Sequence, residues 1–201
     1  ADRQEALVGL GAAQREDFRA LLRAMGGRPV TVRLLDAPLH EFIPTHGDFE
    51  DERQALKAAA LHESNSMLGL RGVRLALVHE ELYPTQVEAL VRAWDDVRSD
   101  GIAPTLEIMV PMVSMPEELA IAIDLVRATV QRTAEELGIE VPYLVGSMVE
   151  TPRAALLADR LAEHSDFLSF GTNDLTQMTY GFSRDDVEKH VLTEYVSRGM
   201  L

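Results

Sequence analysis

The chain has 201 residues, 33 acidic against 19 basic for a formal charge of −14, with 46% apolar residues and no cysteine. That length suits one ordinary domain with a good core, and the acidic excess argues against nucleic acid or an anionic membrane as partner, since both are bound by Lys and Arg on phosphates. Disulfides and thiolate metal sites are excluded, no apolar run reaches the ~18 residues of a membrane span, and the charged residues 1–25 lack the form of a signal peptide, so a cytoplasmic chain is expected.

Phe18, Leu21, Leu22 and Met25 recur at helical spacing and meet a Gly26-Gly27 stop. Residues 29–36 then read as a first strand. The stretch 40–66 is the least regular, a loop with an amphipathic piece around residues 54–61, placed where barrel enzymes carry substrate-covering loops. Within it, His40 beside Glu41 reads as a structural hydrogen-bonding pair. Residues 72–78 read as a second strand. A helix follows, with Val87, Leu90, Val91 and Trp94 on one face and Thr85 with Glu88 as its capping box.

Residues 104–113 form the third expected strand, and Ser114 with Glu117 caps a helix carrying Leu119, Ile123 and Val126. Residues 143–150 are the fourth strand, with Thr151-Pro152 as N-cap and first residue of the next helix. Residues 166–171 are the fifth. Strands alternating with helices of 10–15 residues predict a parallel α/β sheet, and their apolar composition predicts one buried on both faces. Gly9-Leu-Gly11 follows no strand, so the open dinucleotide-binding fold lacks its fingerprint. A (β/α)8 TIM-type barrel is the better reading, incomplete here because five units do not close eight strands.

Acids and arginines gather at the expected strand ends. The first strand carries Arg33 and ends in Asp36, the second is entered through Gly69-Leu-Arg71-Gly-Val-Arg74, the fourth ends in Glu150, and the fifth in Gly171-Thr172-Asn173-Asp174. Arg184 follows ten residues later. Facing one mouth, this set offers two carboxylates for a hard cation such as Mg²⁺ and guanidinium forks for phosphate or carboxylate. Structural readings stand beside these. Arg33 with Asp36 is often a plain ion pair, one of Arg71 and Arg74 packs over a helix, and Glu150 and Asp174 also suit a helix first turn and an N-cap. Asp185, Asp186 and Glu188 read as a solvated acidic face. Six scattered histidines show neither H-x-H nor H-E-x-x-H spacing, so zinc is not expected.

Five segments carry a resemblance: Val30-Thr-Val-Arg-Leu-Leu-Asp-Ala-Pro-Leu-His-Glu-Phe42, Met67-Leu-Gly-Leu-Arg-Gly-Val-Arg74, Glu107-Ile-Met-Val-Pro111, residues 146–154 and residues 167–186. Together they resemble the phosphoenolpyruvate-utilising enzymes. The last two are shared with enzyme I of the sugar phosphotransferase system, and the first points to the pyruvate, phosphate dikinase branch. The resemblance implies a (β/α)8 barrel, here about strands 2 to 6, that binds pyruvate or phosphoenolpyruvate with Mg²⁺. It implies a phosphohistidine on a separate domain that exchanges its phosphoryl group with the pyruvate enolate, a nucleotide-using third domain, and a homodimeric parent protein.

Position by position, the resemblance assigns Glu150 and Asp174 to Mg²⁺, Arg33 and Arg71 to the phosphoryl group, and Gly171, Thr172 and Asn173 to a substrate-binding turn. Arg184 matches a substrate-side arginine. The family's acid–base cysteine on a later strand has no counterpart in this cysteine-free chain, so the 201 residues are not expected to turn over alone. Two other classes stay open: an Mg²⁺-dependent phosphoenolpyruvate/pyruvate lyase or aldolase, or enzyme I-like phosphotransferase, and a non-catalytic phosphoenolpyruvate sensor.

Overall fold

A computed structural model describes residues 3–38, 42–43, 52–61, 63, 65 and 67–201, apart from the Asp185 side chain. The expected His40–Glu41 pair lies outside these residues. Four strands, β1 (Val30–Arg33), β2 (Leu106–Val110), β3 (Tyr143–Val149) and β4 (Phe167–Phe170), form one parallel sheet in chain order. Between and around them run α1 (Arg3–Met25), α2 (Glu52–Ala60), α3 (Val73–Val78), α4 (Leu82–Arg98), α5 (Pro116–Leu137), α6 (Pro152–Leu156), α7 (Ala158–Ala162), α8 (Thr172–Tyr180), α9 (Arg184–His190) and α10 (Leu192–Ser197). No described helix is long and apolar enough to cross a membrane.

The second expected strand is not a strand. Residues 73–78 are the helix α3, and β1 pairs directly with β2, Val30 opposite Leu106 and Arg33 opposite Met109, which leaves no place between them. Two β-branched valines flank Arg-Leu-Ala-Leu, good helix formers, and a short apolar run does not by itself choose between the two periods. Among the described residues the sheet therefore has four strands rather than five, and "strands 2 to 6" overcounts by one.

Burial on both faces is also corrected. One face packs Val30, Val32, Leu106, Ile108, Val110, Val145 and Val149 into a core with Val87, Leu90, Val91 and Trp94 of α4 and Leu119, Ile123 and Val126 of α5. By the ladder register the opposite face carries Thr31, Arg33, Glu107, Leu144 and Met148, and there Thr31, Arg33 and Leu144 are exposed. The polar alternation of β1 was the signal.

Two caps shift. Helix α4 starts at Leu82, so Thr85 lies inside it and donates to the Glu81 carbonyl at 2.8 Å instead of capping. Helix α5 has Met115 as N-cap and Pro116 as its first residue, and the Glu118 carboxylate accepts from the Ser114 and Met115 N–H groups. The Gly26-Gly27 stop and the Thr151 cap stand as expected, the latter accepting from Ala154 N–H at 3.1 Å. Gly146 faces Phe167 across β3 and β4, where an added Cβ would fall 2.7 Å from the ring. Gly146→Ala is expected to lower stability by about 1–3 kcal/mol through overpacking, read as a lower urea midpoint with an unchanged slope.

Candidate functional site

Past Arg33 the chain leaves β1 and reaches Asp36, which is 6% exposed. Gln86 of α4 fixes this exit by accepting the Leu35 N–H at 2.9 Å. Arg71, just before α3, meets Asp36 as a fork: Nη2 donates to Oδ2 at 2.8 Å and Nε to Oδ1 at 3.2 Å. Its third nitrogen, Nη1, donates to Asp174 Oδ1 at 3.2 Å. From the open face of β1, Arg33 Nη1 comes within 3.4 Å of the same Asp36 Oδ2.

The Arg33–Asp36 ion pair anticipated from the sequence exists, but its carboxylate is shared with Arg71. Burial works against the Arg71 charge, yet the hydrogen bond to Asp36 and the fields of Asp36, Asp174 and Glu150 raise its pKa above the usual arginine value. Arg74 is the arginine that packs elsewhere, donating to the Leu68 and Gly69 carbonyls at 3.1 and 3.2 Å and so fastening the turn that carries Arg71.

Glu150 follows β3 and is fully buried. Met112 N–H donates to its Oε1 at 2.6 Å. Met112 has φ 58, the left-handed region that a non-glycine residue rarely adopts. Two glycines make room. At Gly72 an added Cβ would fall 2.6 Å from Met112 Cβ and 3.0 Å from Asp36 Oδ1, and at Gly171 it would fall 2.5 Å from Glu150 Cβ.

The other Glu150 oxygen, Oε2, is buried with no hydrogen-bond partner among the described residues. Burial pushes the Glu150 carboxyl up to about 7; the charges of Asp36 and Asp174 add to this, while the Met112 N–H and Arg33 oppose it. The Tyr83 hydroxyl is likewise buried without a described partner, and its pKa is raised by burial and by the fields of Asp36 and Glu150.

Gly171 is the N-cap residue of α8, and Asp174 lies in the first turn rather than at the cap. Thr172 and Asn173 are exposed beside it. Arg184 stands apart from the charged cluster. Its guanidinium makes no hydrogen bond or ion pair with the described residues, and it lines a groove of ≈ 410 Å³ with Thr172, Asn173, Tyr180 and Phe182. Asp186 and Glu188 are exposed, as the acidic-face reading expects.

Arg33, Arg71, Glu150, Gly171 and Asp174 thus converge, while Thr172, Asn173 and Arg184 form a neighbouring groove. Sequence reasoning placed Asp36 at a strand exit and gave it no role beyond an ion pair with Arg33, and it missed Met112. A Pro before an apolar residue at a strand exit hints at a forced turn, but its sign of φ is invisible in sequence. Two guanidiniums suit a phosphoryl or carboxylate group. Among the described residues no three acids or histidines gather as a closed metal cage. Two carboxylates, one with an unsatisfied oxygen, do fit Mg²⁺, which takes one or two protein carboxylates and completes its shell with substrate oxygens and water.

Comparison with known proteins bears on this site. A family model described as the PEP-binding domain of PEP-utilising enzymes matches residues 2–199. Pyruvate, phosphate dikinase 1, chloroplastic, of Oryza sativa subsp. japonica is 46% identical over 99% of this chain and 22% of its own length. Its counterpart in Arabidopsis thaliana is 45% identical over 94% of the chain and 21% of its own, and pyruvate, phosphate dikinase 2 of Zea mays is 43% identical over 99% and 24%. The chain therefore spans under a quarter of the length of these relatives.

Proposed function

The chain belongs to the family of PEP-utilising enzymes, in their PEP-binding domain, and from that premise we propose that it is the phosphoenolpyruvate/pyruvate-binding part of a pyruvate, phosphate dikinase. The parent reaction interconverts ATP, pyruvate and phosphate with AMP, phosphoenolpyruvate and diphosphate. The phosphoryl group travels on a histidine of a separate domain, and the parent is a homodimer. In this reading the four strands are part of a (β/α)8 barrel, whose remaining strands would turn the open face carrying Arg33 into the barrel interior. One observation carries the assignment: a buried carboxylate with an unsatisfied oxygen, Glu150, lies in the combined field of Asp36, Asp174 and Arg33.

Phosphoryl transfer asks a protein for positioning and charge stabilisation rather than covalent work. Arg33 and Arg71 hold the phosphoryl oxygens and oppose the charge that spreads over them in transit. Glu150 and Asp174 would hold Mg²⁺, which when bound polarises the pyruvate carbonyl and neutralises phosphoryl charge. Gly171, Thr172 and Asn173 present the backbone at the start of α8 to the substrate carboxylate, where N–H groups and the helix dipole favour an anion. Arg184 serves the same ligand from the adjoining groove.

Calorimetry tests the reading: phosphoenolpyruvate should bind in Mg²⁺ and lose at least tenfold in affinity when the cation is chelated. Phosphoryl exchange with a histidine-bearing domain then separates a dikinase from a lyase or aldolase, which needs no such partner. Binding that ignores Mg²⁺ would remove the metal assignment, and no binding at all would remove the function.

A further inference from the structure

We propose that Asp36 is a positioning residue that tethers Arg33 and Arg71 at a fixed separation, making one phosphoryl-sized anion site of two mutually repelling guanidiniums. The inference rests on the functional reading for the ligand's identity, but its geometry stands on the unliganded protein. A single oxygen, Asp36 Oδ2, lies 2.8 Å from Arg71 Nη2 and 3.4 Å from Arg33 Nη1. Two like charges bridged through one atom repel; water screens the Arg33 side, 47% exposed, but reaches little of Arg71, 12% exposed, or of Asp36, 6% exposed. A buried anion between them offsets that repulsion before any ligand arrives, which is preorganisation in the electrostatic sense.

The tether is itself immobilised. Gln86 holds the Leu35 N–H, Arg71 Nε also donates to the Asp36 carbonyl at 3.2 Å, and Gly72 leaves only 3.0 Å between an added Cβ and Asp36 Oδ1. Asp36 pairs with Arg33 from β1 and Arg71 from the turn before α3, its field reaches Glu150 after β3 and the Tyr83 hydroxyl of α4, and Asp174 of α8 shares Arg71 with it. Of these only the two arginines are cations, so Asp36 is their common counter-charge.

The test uses the full chain with Asp36→Asn and Asp36→Glu. In unliganded wild type, ¹⁵N spectra should show slowly rotating, exchange-protected guanidinium groups for both Arg33 and Arg71, and Asp36→Asn should release both. In Mg²⁺, Asp36→Asn should weaken phosphoenolpyruvate at least tenfold while oxalate, which has no phosphoryl group, changes less than threefold. Asp36→Glu keeps the charge but moves the carboxylate outward, so it should fail to rescue phosphoenolpyruvate affinity.

Guanidinium spectra of Arg33 unchanged by Asp36→Asn, or full rescue by Asp36→Glu, would overturn the tether. If wild type binds no phosphoenolpyruvate, the functional reading fails and the spectra alone decide. Should Asp36→Asn not fold, the glutamate variant and the wild-type spectra still separate a tether from a plain ion pair: a freely rotating Arg33 guanidinium in wild type overturns it.

Discussion

Glu150→Gln is expected to make the metal-free protein more stable at pH 8 and to weaken Mg²⁺-dependent phosphoenolpyruvate binding by a hundredfold or more. The stability gain follows from linkage. The Glu150 carboxyl titrates at about 7 when folded against 4.5 when free, so the folded state holds the proton more tightly. Its contribution is fully present below pH 4.5 and is lost as pH rises through 7. At about 1.4 kcal/mol per unit, the charged side chain costs the metal-free protein about 3 kcal/mol at pH 8.

Glutamine keeps an acceptor for the Met112 N–H and carries no charge, so this cost disappears. The same change removes a cation ligand. Urea midpoints between pH 5 and 8, with calorimetry in Mg²⁺, check both halves. A variant destabilised at pH 8 would make Glu150 a structural anion, and wild-type affinity would end its role toward Mg²⁺.

Arg71→Met should lose about 3–5 kcal/mol at neutral pH, the usual result of breaking a buried ion pair from one side. Asp36 is 6% exposed and Asp174 16%, and among the described residues Arg71 is the one cation hydrogen-bonded to both. Arg74→Met forfeits hydrogen bonds to two backbone carbonyls and should cost nearer ~1 kcal/mol. Against a total of about 5–15 kcal/mol for a typical domain, the first variant becomes marginal and the second stays folded. Phosphoenolpyruvate binding should vanish in Arg71→Met. Equal denaturation midpoints for the two variants would contradict the hub role of Arg71.

Much of this arrangement was legible because strands announce their ends. Arg33, Glu150 and Asp174 stand out as polar residues closing apolar runs, and the structure draws them together. Arg71 was reached by a wrong route, as the entrance to a strand that proves to be α3. The context is tertiary: β1 and β2 already pair with each other, so residues 73–78 have no place in the ladder between them.

The misplaced caps had a local remedy, since Pro116 at the first helical position fixes Met115 as the cap, and Pro84 marks the first turn of α4. The shared carboxylate of Asp36 and the inward N–H of Met112 had none. Each depends on residues 35 or more positions apart meeting at one point, and neither composition nor periodicity records such a meeting.

The strand order β1-β2-β3-β4 repeats the order of synthesis. During translation each later strand therefore emerges beside a template that already exists, and none of these four has to wait for a partner made after an intervening strand. Adding β3 to β2 and β4 to β3 closes only short strand–helix connections, at low entropic cost, whereas joining β2 to β1 closes the longer connection that holds α2, α3 and α4. In chain order the last member of the charged cluster is Asp174 on α8, the second carboxylate that Arg71 meets beside Asp36.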